Sequence, residues 1–99
     1  MYKLIDTKEF NKYMITKYKN HLNINIVRNI SEWREVEADT ILIVNRGSLY
    51  ISIDDKLVKL NEGDIIELSA SSKYRFLAHE TSIVYEYQKG NYLINSYTH

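Results

Sequence analysis

The residues that could carry chemistry in this chain are carboxylates, tyrosines and arginines rather than cysteines or histidines. The 99 residues include no Cys, which leaves no thiolate ligand and no thiol nucleophile. His21, His79 and His99 are widely separated, at a predicted strand start, a predicted hairpin tip and the end of the chain. A catalytic zinc or iron needs about three converging ligands, typically including His. The sequence therefore predicts no metal site and no cofactor.

Glu86 and Tyr74 are the candidate pair for acid–base chemistry in this chain. Tyr74 and Phe76 alternate with Arg75, so in a strand both rings share one face, which we expect to point inward. Further on, Tyr85 alternates with Glu86, and parity leaves open which of the two faces inward. If the chain is an enzyme, we expect catalysis by Glu86 with Tyr74, as base and acid.

A β-scaffold must position these side chains, and residues 41–87 carry the pattern for one. Short runs rich in β-branched and aromatic residues are each closed by Gly, Asn, Asp or Ser. The predicted strands are 22–28, a short one near Trp33, 41–44, 49–53, 57–60, 65–68, 74–78 and 82–88. The last two are predicted to pair as a hairpin across His79. Seven or eight short strands with one leading helix indicate a mainly β protein, a small antiparallel barrel or sandwich.

The first predicted strand alternates strictly between apolar and polar residues. Apolar side chains usually face the core, so we expect Leu22, Ile24 and Ile26 to point inward and Asn23 and Asn25 to face solvent. The fully apolar run 41–44 predicts a central strand that is covered on both faces.

The length predicts a single domain in three parts. Residues 1–20 are predicted to be an N-terminal helical segment, 21–88 a β-barrel and 89–99 a C-terminal tail or edge strand. An N-cap at Asp6 precedes Phe10, Met14 and Tyr18 at helical spacing, which predicts an amphipathic helix over about 7–19.

The composition indicates which classes of binding partner to expect. Thirteen Lys and Arg balance 13 Asp and Glu, so no net field attracts a nucleic acid polymer or a membrane surface. No secretory signal pattern begins the chain, and we expect a cytoplasmic protein. The abundance of Ile, Asn, Lys and Tyr is typical of an A/T-rich bacterial or phage genome.

The glycines and their neighbours carry a family resemblance. The pattern consists of Gly47, alternating apolar residues, the Gly63-Asp64 pair, a strand, and then Tyr74. Over about residues 40–87 it resembles the cupin family. That resemblance implies a jelly-roll barrel that encloses a pocket.

The chain resembles a degenerate cupin that lacks the metal-binding histidines. In the family's second motif a Pro, a Gly and a His follow the Gly-Asp pair, and here those places hold Ser69, Ser71 and Tyr74. In the first motif the Glu place is Thr40, and the His places fall near residues 33–35. The resemblance therefore implies a metal-free pocket.

The same resemblance implies which side chains line that pocket. Thr40 would face inward, Trp33 or Arg34 would lie at the mouth, and Arg34 and Arg46 would be natural phosphate contacts. The predicted ligand-binding residues are Trp33, Arg34, Thr40, Arg46, Tyr74, Phe76 and Tyr85. Aromatic rings with polar tips suit stacking on a sugar or base, although the same rings could simply fill a small barrel.

Three functions stay open at this point. The first is a metal-independent module that binds a small polar ligand such as a sugar or nucleotide, as a homodimer of the kind that cupin-like domains form. The second is a metal-independent sugar epimerase or isomerase. The third is a phage- or bacterium-encoded protein-interaction or inhibitor domain, including one that sequesters a signalling nucleotide.

Overall fold

Short runs of β-branched and aromatic residues form nine strands within the residues that the structure, a computed structural model, describes: 1–10 and 22–89. The strands are β1 (Tyr2–Ile5), β2 (Leu22–Val27), β3 (Arg34–Glu35), β4 (Thr40–Arg46), β5 (Leu49–Ile53), β6 (Lys56–Leu60), β7 (Ile65–Leu68), β8 (Lys73–Ala78) and β9 (Ser82–Gln88).

The strands form two antiparallel sheets that face one another. The five-stranded sheet has the order β1-β7-β4-β9-β2, and the four-stranded sheet has the order β3-β8-β5-β6. Successive strands often belong to opposite sheets, which is the connectivity of a jelly roll. The prediction of a mainly β, jelly-roll architecture is confirmed.

The core fills the space between the two sheets. Alternate residues of each strand point there, including Leu42 and Val84 from one sheet and Ile51 and Phe76 from the other, all fully buried. β2 is an edge strand of the five-stranded sheet, and β3 is an edge strand of the four-stranded sheet. The segment that connects β2 to β3 joins the two sheets at this side.

A second apolar cluster covers the outer face of the five-stranded sheet. Ile5, Ile41 and Ile65 are buried there, and Phe10 packs against them. The central position of β4 therefore has apolar cover on both faces, as the run 41–44 predicted.

The N-terminal prediction needs a correction. Residues 2–5, expected within a helical segment, form β1, which pairs with β7 and places Tyr2 opposite Leu68. Residues 7–10 are helical, and the backbone N–H of Lys8 donates to the Asp6 carboxylate at 2.8 Å, as an N-cap requires. The rest of the predicted helix, with Met14 and Tyr18, lies outside the described residues.

The predicted hairpin between the last two strands is wrong. β8 pairs with β5 and β3, whereas β9 pairs with β4 and β2. The chain therefore crosses from one sheet to the other between Ala78 and Ser82, and the close spacing of the two strands did not reveal this. The predicted tail or edge strand beyond residue 89 lies outside the described residues.

Two connections depend on backbone conformations that favour glycine. Gly47 has a φ of +85°, and a Cβ there would come within 2.6 Å of the Ser82 hydroxyl oxygen. Gly63 has a φ of +90° but open space around it. No helix in the described parts of the chain is long and apolar enough to cross a membrane.

Candidate functional site

Four polar side chains meet in the space between the sheets, beside the edge strands β2 and β3. Asn25 on β2 and Glu86 on β9 come from the five-stranded sheet, and Arg34 on β3 and Tyr74 on β8 come from the other. Strand pairing explains why they face inward: Glu86 lies opposite the buried Leu42, and residues opposite each other share a face. We call these four residues the lumen cluster.

Hydrogen bonds link the charged members of the cluster through one amide. Arg34 donates from Nη1 to Asn25 Oδ1 at 2.9 Å. Asn25 in turn donates from Nδ2 to Glu86 Oε1 at 3.2 Å. The amide thus separates a guanidinium from a carboxylate, and both charges are half-buried.

Tyr74 is the most buried member of the cluster, with 2% of its surface exposed. Its ring meets Phe76 edge to face at 5.3 Å between centroids. Burial raises the pKa of Tyr74, and the negative charge of Glu86 raises it further, while a hydrogen bond and the positive charge of Arg34 oppose this. The phenol is therefore protonated at neutral pH and can donate a hydrogen bond.

The cluster offers a complementary set of donors and acceptors at short range. Arg34 and Tyr74 supply donors, Glu86 supplies an acceptor and Asn25 supplies both. Such a set can bind hydroxyl, amide or ring-nitrogen groups of a small polar molecule. The Arg34 guanidinium carbon also lies 5.5 Å from the centroid of the Phe76 ring, within the range of a cation–π contact.

A cleft lies at the side of the barrel, whereas apolar side chains lie at its centre. Apolar side chains fill the centre, where Phe76, Leu42 and Ile51 are fully buried. A cleft of about 280 Å³ opens where the chain passes from β2 to β3. Its lining is Ile26, Val27, Arg28, Asn29, Ile30, Ser31 and Arg34.

Of the seven predicted ligand-binding residues, the structure brings three together, buries Thr40 in a contact with the backbone and leaves the other three outside the lumen. Arg34 and Tyr74 belong to the lumen cluster, and Phe76 packs directly beneath it. Thr40 is buried, and its hydroxyl donates to the backbone oxygen of Ala38 at 2.8 Å. Parity had left Glu86 undecided, and the pairing of β9 turns it inward.

Trp33, Tyr85 and Arg46, which were predicted to bind the ligand, lie outside the lumen cluster. Trp33 is 55% exposed, with the Arg75 guanidinium 4.9 Å from its ring centroid. Tyr85 lies opposite Ile43 on the outer face of the five-stranded sheet, because Glu86 beside it faces inward. Arg46 is exposed at the end of β4 and lies opposite Ile83.

Sequence reasoning missed Asn25 because it assigned β2 the wrong face. Leu22, Ile24 and Ile26 point outward and are 42%, 59% and 56% exposed, while Asn25 faces inward. The inward side of this edge strand meets Arg34 and Glu86, so a polar side chain is satisfied there. The alternation of β2 by itself carries no signal that distinguishes the two orientations.

The lumen cluster does not offer the set of ligands that a bound metal ion needs. In residues 1–10 and 22–89, no group of three or more His, Cys, Asp and Glu side chains could hold one. The family's second-motif His place is taken by Tyr74, and the lumen cluster contains a guanidinium, which repels a cation. Glu86 is its single carboxylate, and a catalytic metal needs about three ligands.

Comparisons with solved structures place the fold among the cupins. A cupin-2 domain protein from Shewanella frigidimarina has a TM-score of 0.64 at 16% identity, over 86% of this chain and 93% of its own. The salicylate 1,2-dioxygenase from Pseudoaminobacter salicylatoxidans has a TM-score of 0.69 at 13% identity. The match covers 78% of this chain, but the chain spans only 22% of the length of that enzyme.

These similarities define a cupin-like jelly-roll fold. No family model matches the sequence, and no curated protein matches it. The resemblance that the glycine pattern predicted is confirmed for the fold, and the two sheets are those of a small cupin-like domain.

Proposed function

We propose that the chain is a metal-independent module that binds a small polar ligand, such as a sugar or nucleotide, at the lumen cluster. The observation that carries the proposal is the convergence of Arg34, Asn25, Glu86 and Tyr74 from both sheets into one half-buried group. These polar groups are already hydrogen-bonded to one another, so they form a preorganised set of donors and acceptors for a small polar ligand. Structures of the salicylate dioxygenase with gentisate support a small-molecule role for this fold.

Ligand titration followed by NMR tests this proposal. A panel of monosaccharides, nucleosides and nucleotides is added to ¹⁵N-labelled protein, and amide shifts are mapped on the structure. We expect saturable shifts centred on residues 25, 34, 74 and 86. Shifts confined to the outer sheet faces, or none with any member of the panel, would contradict the proposal.

A metal-independent epimerase or isomerase is the second candidate, and the proximity of Glu86 to Tyr74 favours it. The charge of Glu86 raises the pKa of Tyr74, which places a carboxylate base near a protonated phenol. For a compound that binds, Glu86→Gln is then expected to abolish turnover while binding is kept. Full activity in that variant would exclude this mechanism.

We further propose that the protein is a homodimer that buries the outward face of β2. Ile24 and Ile26 are 59% and 56% exposed, and Leu22 beside them is 42% exposed. Tyr85, opposite Ile24 on the same face, extends the apolar surface onto β9. Adjacent exposed apolar side chains of this kind are typical of interaction surfaces.

A further inference from the structure

The cleft beside the lumen cluster is built by a change of sheet. After Val27 the chain leaves the five-stranded sheet, and at Ile30 it forms a bridge with Leu77 at the edge of the four-stranded sheet. The cleft of about 280 Å³ opens at this crossover, and Arg34 is among its lining residues. Arg34 therefore belongs both to the lining of the cleft and to the lumen cluster.

The charged residues in the lining of this cleft are both arginines. Arg28 is exposed and Arg34 is half-buried. Among the ion pairs of the described residues, none joins either guanidinium to a carboxylate within 4.0 Å. A half-buried charge is usually paired, because desolvation is costly. The cleft therefore has a local excess of positive charge in a protein with no net charge.

Arg34 also has donors to spare. A guanidinium carries five N–H donors, and here Asn25 accepts from one of them. Guanidinium groups bind phosphate with two parallel hydrogen bonds, which suits a partly buried site.

The backbone of the crossover is held in place, so the two arginines project from a fixed frame. Ser31 donates from its N–H to the Phe76 oxygen at 2.9 Å, and its hydroxyl accepts from the Phe76 N–H at 2.9 Å. Asn29 accepts from the Ala78 N–H at 2.9 Å. A preorganised frame lowers the entropy lost on binding a ligand.

We infer that the ligand carries a phosphate group, which Arg28 and Arg34 bind in the crossover cleft while the lumen cluster binds its neutral part. This inference rests on the proposed function. Two guanidiniums carry two positive charges. They match the double negative charge of a phosphate monoester better than they match the single charge of a carboxylate. Glu86 does not line the cleft, and the Asn25 amide separates it from Arg34, so its charge lies away from the phosphate.

The first test uses inorganic phosphate as the probe and the arginine side-chain N–H signals as the readout. We expect saturable shifts at Arg28 and Arg34 and none at Arg46, which is exposed at the end of β4. Acetate at the same concentration should give much smaller shifts. Equal shifts with acetate, or no shift at Arg28 and Arg34, would overturn the inference.

The second test compares ribose 5-phosphate with ribose by titration calorimetry. We expect the phosphate to improve affinity by about tenfold or more, and Arg34→Gln or Arg28→Gln to remove most of that gain. Arg46→Gln removes the same charge elsewhere and should change affinity less than about twofold. Arg28 is exposed, so its substitution tests the site even if Arg34→Gln disturbs folding.

The outcomes separate the inference from the proposed function. If neutral sugars or nucleosides bind at the lumen cluster as tightly as their phosphates, the binding module stands and the phosphate site is overturned. If inorganic phosphate binds at Arg28 and Arg34 while no compound shifts residues 25, 74 and 86, the anion site stands and the proposed module fails. An equal loss of affinity in Arg46→Gln and Arg34→Gln would also overturn the phosphate site.

Discussion

At the scale of single residues, the Asn25 amide hydrogen-bonds to two half-buried groups of opposite charge. Its oxygen accepts from Arg34 and its nitrogen donates to Glu86, so each charge has a polar neighbour without forming a direct ion pair. Removing the amide would leave both charges less well satisfied, and that costs more than the hydrogen bonds themselves contribute.

Asn25→Ala is therefore expected to lower the free energy of unfolding by about 1–3 kcal/mol, measured by urea denaturation. Asn23→Ala is the matched control, because Asn23 lies on the same strand but is exposed. It should cost less than about 0.5 kcal/mol. Equal losses in the two variants would show that the cluster has no special dependence on Asn25.

The raised pKa of Tyr74 predicts how the free energy of unfolding depends on pH in the alkaline range. Its pKa is raised in the folded protein by burial and by Glu86, so the folded state keeps the phenol proton longer than the unfolded chain does. The resulting stability is fully present below the unfolded pKa of about 10 and is lost as pH rises through the folded pKa.

Tyr74→Phe should remove this loss, so its unfolding free energy should fall less steeply than that of the wild type above pH 10 or so. Urea denaturation at a series of pH values measures the difference. Tyr50→Phe, on a half-buried ring of β5, controls for the loss of one hydroxyl. Parallel alkaline profiles for Tyr74→Phe and wild type would contradict the assignment.

The sequence predicted some members of the lumen cluster but not its full geometry. Tyr74 and Glu86 were expected to act together, and Arg34 was expected near the mouth. Asn25 could not be found, because an alternating strand can present either face inward. Trp33 was expected at the mouth and parity left the orientation of Tyr85 open. Both were predicted to bind the ligand because aromatic residues suit stacking, but exposed aromatic side chains are equally compatible with their spacing.

At the scale of elements, a comparison of Gly47 with Gly63 distinguishes the cost of backbone strain from the cost of close packing. Both have positive φ, but only Gly47 lies against another strand, with Ser82 and the Thr81 oxygen close to where a Cβ would be. The Ser82 hydroxyl donates to the backbone oxygen of Ser48 at 3.0 Å, so it is not free to move. This contact fixes the turn between β4 and β5 against the start of β9.

Gly63→Ala should cost about 1–2 kcal/mol of unfolding free energy, from the left-handed backbone alone. Gly47→Ala should cost about 1–3 kcal/mol more, because the methyl group also meets Ser82. Chemical denaturation of both variants measures the difference. Similar values would mean that the contact with β9 adds nothing.

Strand positions were largely predictable, while their partners were not. Runs such as 49–53 and 65–68 carry β-branched residues between turn residues, and they form β5 and β7. Pairing depends on which sheet each strand joins, and turn length does not specify this when the chain crosses between sheets. That is why β8 and β9 were wrongly expected to form a hairpin.

At the scale of the whole molecule, the apolar outer face of β2 makes the proposed homodimer testable. Ile24→Glu is expected to shift the protein toward monomer, measured by sedimentation velocity, because a charge there would be desolvated in the interface. Leu57→Glu is the control, since Leu57 is equally exposed at 59% but lies on the other sheet. A monomeric wild type, or the same effect in both variants, would contradict the dimer.

The architecture as a whole was predictable from Gly47, Gly63 and the alternating runs between them. Those features recur in the cupin fold because its tight turns need positive φ and its strands bury one face. The strand β1 was not predicted, because residues 2–5 are too few to show a period and precede a clear helix signal.

The most direct measurement is a crystal structure of the protein isolated from its own host, with the space beside β2 and β3 inspected for bound molecules. We expect non-protein density in contact with Arg34, Asn25, Tyr74 or Glu86, with a phosphate between Arg28 and Arg34. Water alone between these side chains, or a transition-metal ion held by them, would contradict this expectation.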